Sequence, residues 1–274
     1  MNNISFIGGG NMARSLIGGL IADGRDAETI WVSDNNEDQL NHLRQQFGVH
    51  TTTSNSEAAN AADILVLAVK PQMMHNVTAE LRDSVQNKKP LVISIAAGIR
   101  AKDIDRWLGG DIAIVRTMPN TPALIQTGAT ALCANALVSA EQRNSAETIL
   151  RAVGLALWVN DEKMMDAVTA LSGSGPAYFF LFIEAMEEAA RALGLPEQAA
   201  HLLTLQTAFG AAKMALESPE DCATLRKRVT SPGGTTEQAI RTFEEGDLRQ
   251  LVAKALTAAA NRSEELAQQL GAQQ

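Results

Sequence analysis

The spacing of apolar residues along this 274-residue chain changes character near residue 160. Ile4, Phe6 and Ile7 predict a short buried strand, and Met12, Leu16 and Leu20 then recur at every fourth position on one face of a helix. A turn at Asp23-Gly24 and Asp26 leads to a second predicted strand, Thr29 to Val32, and to a polar helix over Glu37 to Phe47 with Leu40, Leu43 and Phe47 on its apolar side. Thr51 to Thr53 predicts a further short strand. Asp63 to Pro71 carries the continuous apolar run that a parallel strand covered on both faces requires. Leu91 to Ile95 and Ile112 to Val115 predict two more strands, and Thr127 to Cys133 and Leu155 to Val159 add edge strands. Beyond that point only helical spacing remains: Phe179, Phe182, Ile183, Met186, Ala190 and Leu193 share a face, Gly194 stops that helix, and Pro196 opens another to about Glu217.

Alternating strands and helices followed by helices alone predict an α/β nucleotide-binding domain over 1–160 and an all-helical domain over 161–274. The second long helix carries Ala208, Gly210, Ala211 and Ala212, small residues that permit close helix approach as in an ordinary bundle core. The large apolar face of so small a helical domain makes it the expected dimer interface.

Composition narrows the function. Lys plus Arg is 23 against 31 Asp plus Glu, a net charge of −8, whose field repels a nucleic-acid backbone and an anionic membrane surface. No apolar run approaches the ~20 residues of a spanning helix. The opening MNNISFIGGG lacks the basic segment of a secretory signal, so a cytoplasmic location is expected. Cys133 and Cys222 have no C-x-x-C partner and read as reduced structural thiols, and His42, His50, His75 and His201 show no paired ligand spacing. No metal is expected.

The chemistry gathers in a few loops. Gly8, Gly10 and Ala13 fit G-x-G-x-x-A between a strand and a helix. Gly8 lets the chain turn, Gly10 lets backbone approach a pyrophosphate, Ala13 lets the helix pack on the sheet, and the free N–H groups of that helix face the phosphates. Ser33-Asp34-Asn35-Asn36 ends the second strand, where an adenine ribose should lie. Asp34 favours NAD there, whereas Ser33, Asn35 and Asn36 can donate to a phosphate, so NAD and NADP both stay open. Ala68, Val69, Lys70 and Pro71, at the end of the apolar strand, should line the crevice, with Lys70 equally readable as a loop charge. Thr117 to Pro122, stiffened by two prolines, is either a ligand wall or a structural turn.

Thr230-Ser231-Pro232-Gly233-Gly234-Thr235-Thr236 enters a further helix. With Thr235 and Gln238 spaced as a capping box, it predicts a second anion-ready helix terminus suited to a carboxylate, with the hydroxyls of Ser231, Thr235 and Thr236 beside it. Arg226-Lys227-Arg228 either adds a favourable field or is a solvated face. Ser174, in Ser172-Gly173-Ser174-Gly175-Pro176, has no histidine placed as its base, so hydrolase chemistry is rejected.

Taken together, GGGNMA at 8–13, AVKP at 68–71, MPNTP at 118–122, SGSGPAY at 172–178 and TSPGGTT at 230–236 resemble pyrroline-5-carboxylate reductase across nearly the whole chain. The glycine loop is common to many families; SGSGPAY and the VTSPGGTTEQAI region are more particular. The resemblance implies a Rossmann-type domain followed by a helical dimerisation domain, a homodimer or higher homo-oligomer with active sites at the subunit interface, and NADPH- or NADH-dependent reduction of 1-pyrroline-5-carboxylate to L-proline.

It also implies roles by position. Gly8, Gly9, Gly10, Asn11 and Met12 hold the pyrophosphate, Ser33 or its neighbour Asp34 meets the ribose, and Asn55 lies near the adenosine. Ala68 to Pro71 and Ile95, Ala96 and Ala97 border the nicotinamide half. Ser231, Gly233, Gly234 and Thr235 take the substrate carboxylate, Thr236 bonds the ring nitrogen, and Glu162 approaches the substrate. Two rival readings are a related reductase using Lys213 as its catalytic lysine and a dinucleotide sensor without turnover.

Overall fold

A computed structural model describes residues 2–272. They form two compact units, one of residues up to Ser174 together with the segment from Thr257 onward, the other spanning Gly175–Leu256. The first unit therefore runs past residue 160 and takes back the end of the last helix.

The first unit is built on an eight-stranded sheet of β1 (Ile4–Ile7), β2 (Ile30–Ser33), β3 (His50–Thr52), β4 (Ile64–Leu67), β5 (Leu91–Ser94), β6 (Ile114–Met118), β7 (Gly128–Ala134) and β8 (Gly154–Trp158). Its order is β3-β2-β1-β4-β5-β6-β7-β8. Every neighbouring pair is parallel except β6 with β7. The strand order reverses on either side of β1 and β4, and at such a switch point α/β sheets leave a crevice beyond the strand ends.

Alternation within each strand sends side chains to two cores. Ile4 and Phe6 of β1, Ile64 and Val66 of β4, and Ile93 of β5 pack with Leu16 and Ile17 of α1 (Asn11–Ala22) and Leu40 and Leu43 of α2 (Glu37–Phe47). On the opposite face Ile7, Leu65, Leu67 and Val92 pack with Ala58 and Ala59 of α3 (Asn55–Ala61), Leu81 and Val85 of α4 (Met74–Lys88), and Ile104 and Trp107 of α5 (Ala101–Trp107). The continuous apolar run of β4 is thus covered twice. Between β7 and β8 lies α6 (Ala140–Arg151), opened by a reciprocal capping box between Ser139 and Gln142. Then come α7 (Met164–Val168) and a π-helical turn over Thr169–Gly173.

The second unit is wholly helical: α8 (Gly175–Ala192), α9 (Glu197–Glu217), α10 (Cys222–Arg228), α11 (Thr235–Glu245) and the beginning of α12 (Leu248–Gly271). Gly194, at φ 96°, makes the turn between α8 and α9. Among this unit's described residues only Gly175 and Ala200 are buried, while Phe179, Phe180, Leu202, Leu203, Phe209 and Leu216 all stand exposed. Helices apolar on every side belong inside a larger core.

Candidate functional site

The glycine loop differs at each of its three glycines. Gly8 sits at φ +99°, and a Cβ there would lie 2.7 Å from the Ala68 carbonyl oxygen, so β1 and β4 can end side by side only with glycine. Its N–H donates to the Ser33 carbonyl at 2.8 Å. Gly9 is held by side chains that follow β2: its N–H donates to Asp34 Oδ2 at 2.7 Å, and its carbonyl accepts from the Gln39 amide. Gly10 is the N-cap of α1 and has no side-chain cap; a Cβ there would meet no protein atom within 4 Å. The first N–H groups of α1, from Asn11 and Met12 onward, therefore open onto free space beside a bare backbone. That is what a pyrophosphate requires, and the residues present fit a dinucleotide.

This geometry separates folding from binding. Gly10→Ala should leave the fold intact, at a cost under about 1 kcal/mol, because φ −64° and ψ −177° suit any residue at an N-cap. Its methyl group would stand where the phosphates come, weakening dinucleotide binding by about tenfold or more, equivalent to ~1.4 kcal/mol. Fluorescence titration with NADH or NADPH beside a thermal melt of the ligand-free protein checks both halves. An unchanged affinity would remove Gly10 from the phosphate site.

At the end of β2 the expected ribose residues divide. Ser33 is fully buried, and its hydroxyl donates to Asn55 Oδ1 at 2.8 Å, while Asn55 Nδ2 donates to Glu80 Oε2 at 3.1 Å. Ser33 orders Asn55, and Asp34 is the side chain that reaches the glycine loop.

Beyond β4 and β5, Ala68, Val69, Lys70 and Pro71 face Ile95, Ala96 and Ala97 across neighbouring strand ends, with the Ile95 N–H donating to the Leu67 carbonyl at 3.2 Å. Lys70 is exposed. Pro71, Ala97 and Gly98 line a groove of about 310 Å³ with Thr169, Ser174 and Arg262. The buried Ser263 hydroxyl, also on α12, donates to Asp166 at 2.7 Å and holds that helix to α7.

Asn120 gives the proline-stiffened loop a structural role. Its Oδ1 accepts from the Ala129 N–H at 2.9 Å, and its Nδ2 donates to the Ser172 carbonyl at 3.2 Å, bracing the π-helical turn against β7. A Cβ at Gly173 would come within 2.2 Å of Met118 Cε. SGSGP thus combines a glycine packed against the movable end of Met118 with a π turn, a local feature frequent at functional sites.

Glu162 is already engaged. Its Oε1 accepts from the Ala101 N–H, at the start of α5, at 2.7 Å and from Arg116 Nη1 at 3.1 Å. Arg116 is only 3 % exposed, so its guanidinium depends on this partner. The pair borders a cavity of about 770 Å³, where Arg100, Lys102, Arg116 and Lys163 are balanced by Asp161, Glu162, Asp166 and Glu264. The smaller groove, being at the strand ends, is the better placed for cofactor chemistry.

Within the second unit, Thr230 to Thr236 joins α10 to α11. The expected capping box of Thr235 and Gln238 does not form. Gly234 is the N-cap, one residue earlier, and has no side chain with which to make the box; Gln238 instead accepts from Arg241. Glu237 accepts from the Gly233 N–H at 2.8 Å, and Gly233 takes φ +71°. The start of α11 keeps its first N–H groups free of any side-chain cap, with the half-buried Thr236 in that turn. The basic run beside it is largely offset: Arg226 pairs with Glu244 and Arg228 with Glu220. Lys213 is exposed on α9 and pairs with Glu217 at 3.7 Å.

Burial pushes the Cys133 thiol pKa up, which keeps it a neutral packing residue. Among the described residues no group of His, Cys, Asp and Glu is arranged to hold a metal ion, and no helix is long and apolar enough to cross a membrane.

A doubly wound sheet with an open glycine loop, joined to a helical unit that lacks a core of its own, defines the class: an NAD(P)-dependent oxidoreductase with a helical dimerisation unit. Family models agree, with residues 3–98 matching NADP oxidoreductase coenzyme F420-dependent and residues 162–266 matching pyrroline-5-carboxylate reductase dimerisation. The chain is 52 % identical to pyrroline-5-carboxylate reductase of Pseudomonas aeruginosa, covering 98 % of each. It is similar to the structure of the Coxiella burnetii pyrroline-5-carboxylate reductase at a TM-score of 0.94 and 53 % identity, covering 97 % of this chain and 98 % of that one. The Plasmodium falciparum pyrroline carboxylate reductase with NADP bound superposes at a TM-score of 0.85 and 29 % identity, covering 97 % and 98 %. The chain belongs to the pyrroline-5-carboxylate reductase family.

Proposed function

We propose that this protein reduces 1-pyrroline-5-carboxylate to L-proline with NADPH or NADH, the last step of proline biosynthesis, as a cytoplasmic homodimer. The observation that best supports the reading is a second uncapped helix start, at Gly234 of α11, in a chain whose first, at Gly10 of α1, fits a dinucleotide. One terminus suits a pyrophosphate and the other a small carboxylate.

The reduced cofactor supplies hydride to the ring C=N carbon, and the ring nitrogen gains a proton. The protein's contribution is orientation and electrostatics. Gly8 to Met12 hold the pyrophosphate; Asp34 and Asn55 hold the adenosine end, with Ser33 keeping Asn55 in place. Ala68 to Pro71 and Ile95 to Ala97 border the nicotinamide half. Ser231, Gly233, Gly234 and Thr235 receive the substrate carboxylate, and Glu237 gives up the Gly233 N–H when that carboxylate arrives. Thr236 hydrogen-bonds the ring nitrogen and either relays to it a proton taken up from water or holds the water that delivers one. Hydroxide is left to the solvent, the threonine stays neutral, and the carbon becomes a better hydride acceptor. Glu162 is a positioning residue: by holding the Ala101 N–H it fixes the start of the helix that follows Ile95 to Gly98.

Absorbance at 340 nm, followed with NADPH and with NADH, tests the reaction. Loss only when racemic 1-pyrroline-5-carboxylate is present, with proline as product, is the expected result. No turnover from protein that still binds a cofactor would overturn the assignment in favour of a dinucleotide sensor.

A further inference from the structure

We propose that Asp34 is a specificity-determining residue that accepts the adenosine ribose 2′-hydroxyl and rejects a 2′-phosphate, so that this protein binds NADH in preference to NADPH. The inference deepens the reductase reading and rests on its cofactor site.

Asp34 directly follows β2, and its carboxylate is held from two sides. Oδ2 accepts from the Gly9 N–H at 2.7 Å and Oδ1 from the Asn36 N–H at 2.9 Å. The charge is thus fixed where the glycine loop, the end of β2 and the start of α2 come together. Each oxygen has capacity for a further donor, and a ribose hydroxyl is one.

A 2′-phosphate would need donors of its own, and several groups here are already engaged, which leaves the exposed Asn35 and the Asn36 side-chain amide nitrogen as neutral donors. Asp34 uses the N–H groups of Gly9 and Asn36, Asn36 Oδ1 caps α2 by accepting from the Gln39 N–H at 3.2 Å, and the Gln39 amide donates to the Gly9 carbonyl. The Ser33 hydroxyl and the Asn55 amide are spent on Asn55 and Glu80. Glu37 and Asp38 place two more carboxylates in the first turn of α2, where the helix dipole would otherwise favour an anion. The arginine of that helix, Arg44, donates to Thr51. A phosphate carrying about −1.5 to −2 would enter the field of three carboxylates, Asp34, Glu37 and Asp38, against the one arginine of that helix. The P. falciparum relative has NADP bound, so membership of the family leaves the preference to residues such as these.

The test is binding without pyrroline substrate. Titration of the protein with NADH and with NADPH, followed by calorimetry, should give NADH the lower Kd by about tenfold or more, and added salt should narrow the gap. Asp34→Asn keeps an acceptor for Gly9 and removes the charge; it should collapse the ratio, mainly by tightening NADPH. ADP-ribose and its 2′-phosphorylated form, titrated into the unaltered protein, give the same comparison with no substitution and decide the matter should the variant fail to fold. NADPH binding as tight as NADH, or an unchanged ratio in a folded Asp34→Asn protein, would overturn the inference alone. Binding of none of these ligands would overturn the cofactor assignment with it.

Discussion

Thr236→Ala should lower turnover by about a hundredfold or more while leaving dinucleotide affinity unchanged. A positioned proton donor is worth ~10²–10⁴ in rate, and the reason to expect that role of Thr236 is what its side chain does not do in the fold. It lies in the uncapped first turn of α11, half-buried, and its hydroxyl makes no hydrogen bond among the described residues. The next residue, Glu237, carries the local structural work by accepting from Gly233, so removing the Thr236 hydroxyl should cost less than about 0.5 kcal/mol of stability. Thr236→Ser should recover most of the rate and Thr236→Val, which keeps shape without the hydroxyl, should not. Steady-state rates at saturating cofactor, together with a direct cofactor titration, separate the two effects. A Thr236→Ala protein that turns over normally would remove the hydroxyl from the chemistry and leave proton delivery to water.

A still larger effect is expected from placing a charge on the dimerisation unit. Phe209, on α9, is 64 % exposed in the single chain, and Leu203 on the same helix 58 %. A unit with two buried residues holds too little apolar area to offset its own chain entropy, so its core must be completed by the second copy. Burial of one phenylalanine contributes about 2–3 kcal/mol, a buried unpaired carboxylate costs more than that, and a two-fold interface counts each change twice. Phe209→Glu should therefore weaken dimerisation by about 10³-fold or more and abolish turnover. Sedimentation velocity over a dilution series should show the monomer, with dye binding reporting its uncovered apolar face. Dinucleotide binding should persist, because the first unit has two cores of its own. A Phe209→Glu protein that remains dimeric and active would show that this face of α9 is not part of the interface.

The residues that make both predictions possible were legible to different degrees. Local patterns were readable wherever the determinant is itself local. Ile4 to Leu20 specifies strand, turn and helix through apolar spacing and glycines that act within a few residues, and the double-sided burial of β4 follows from its uninterrupted apolar run. Gly194 marks a helix end for the same reason, since it alone tolerates the required φ. Thr235 and Gln238 misled at this same local level: capping needs the right residue at the N-cap, and a one-residue shift put Gly234 there. Asn120 lay inside a recognisable motif, but its bond to Ser172 spans 52 positions and carries no periodic signal.

From the sequence alone, then, came the α/β class, the glycine loop, the helical second half and the family motifs, because each is written in spacing and steric permission along a short stretch of chain. Only the tertiary structure could decide that β7 runs antiparallel, that the end of α12 returns to the first unit, that Ser33 supports Asn55 while Asp34 grips the glycine loop, and that Glu162 is committed to Ala101 and Arg116. Those outcomes depend on which distant donors and acceptors packing brings within about 3 Å of one another, and a buried polar group must find its partner wherever in the chain it lies.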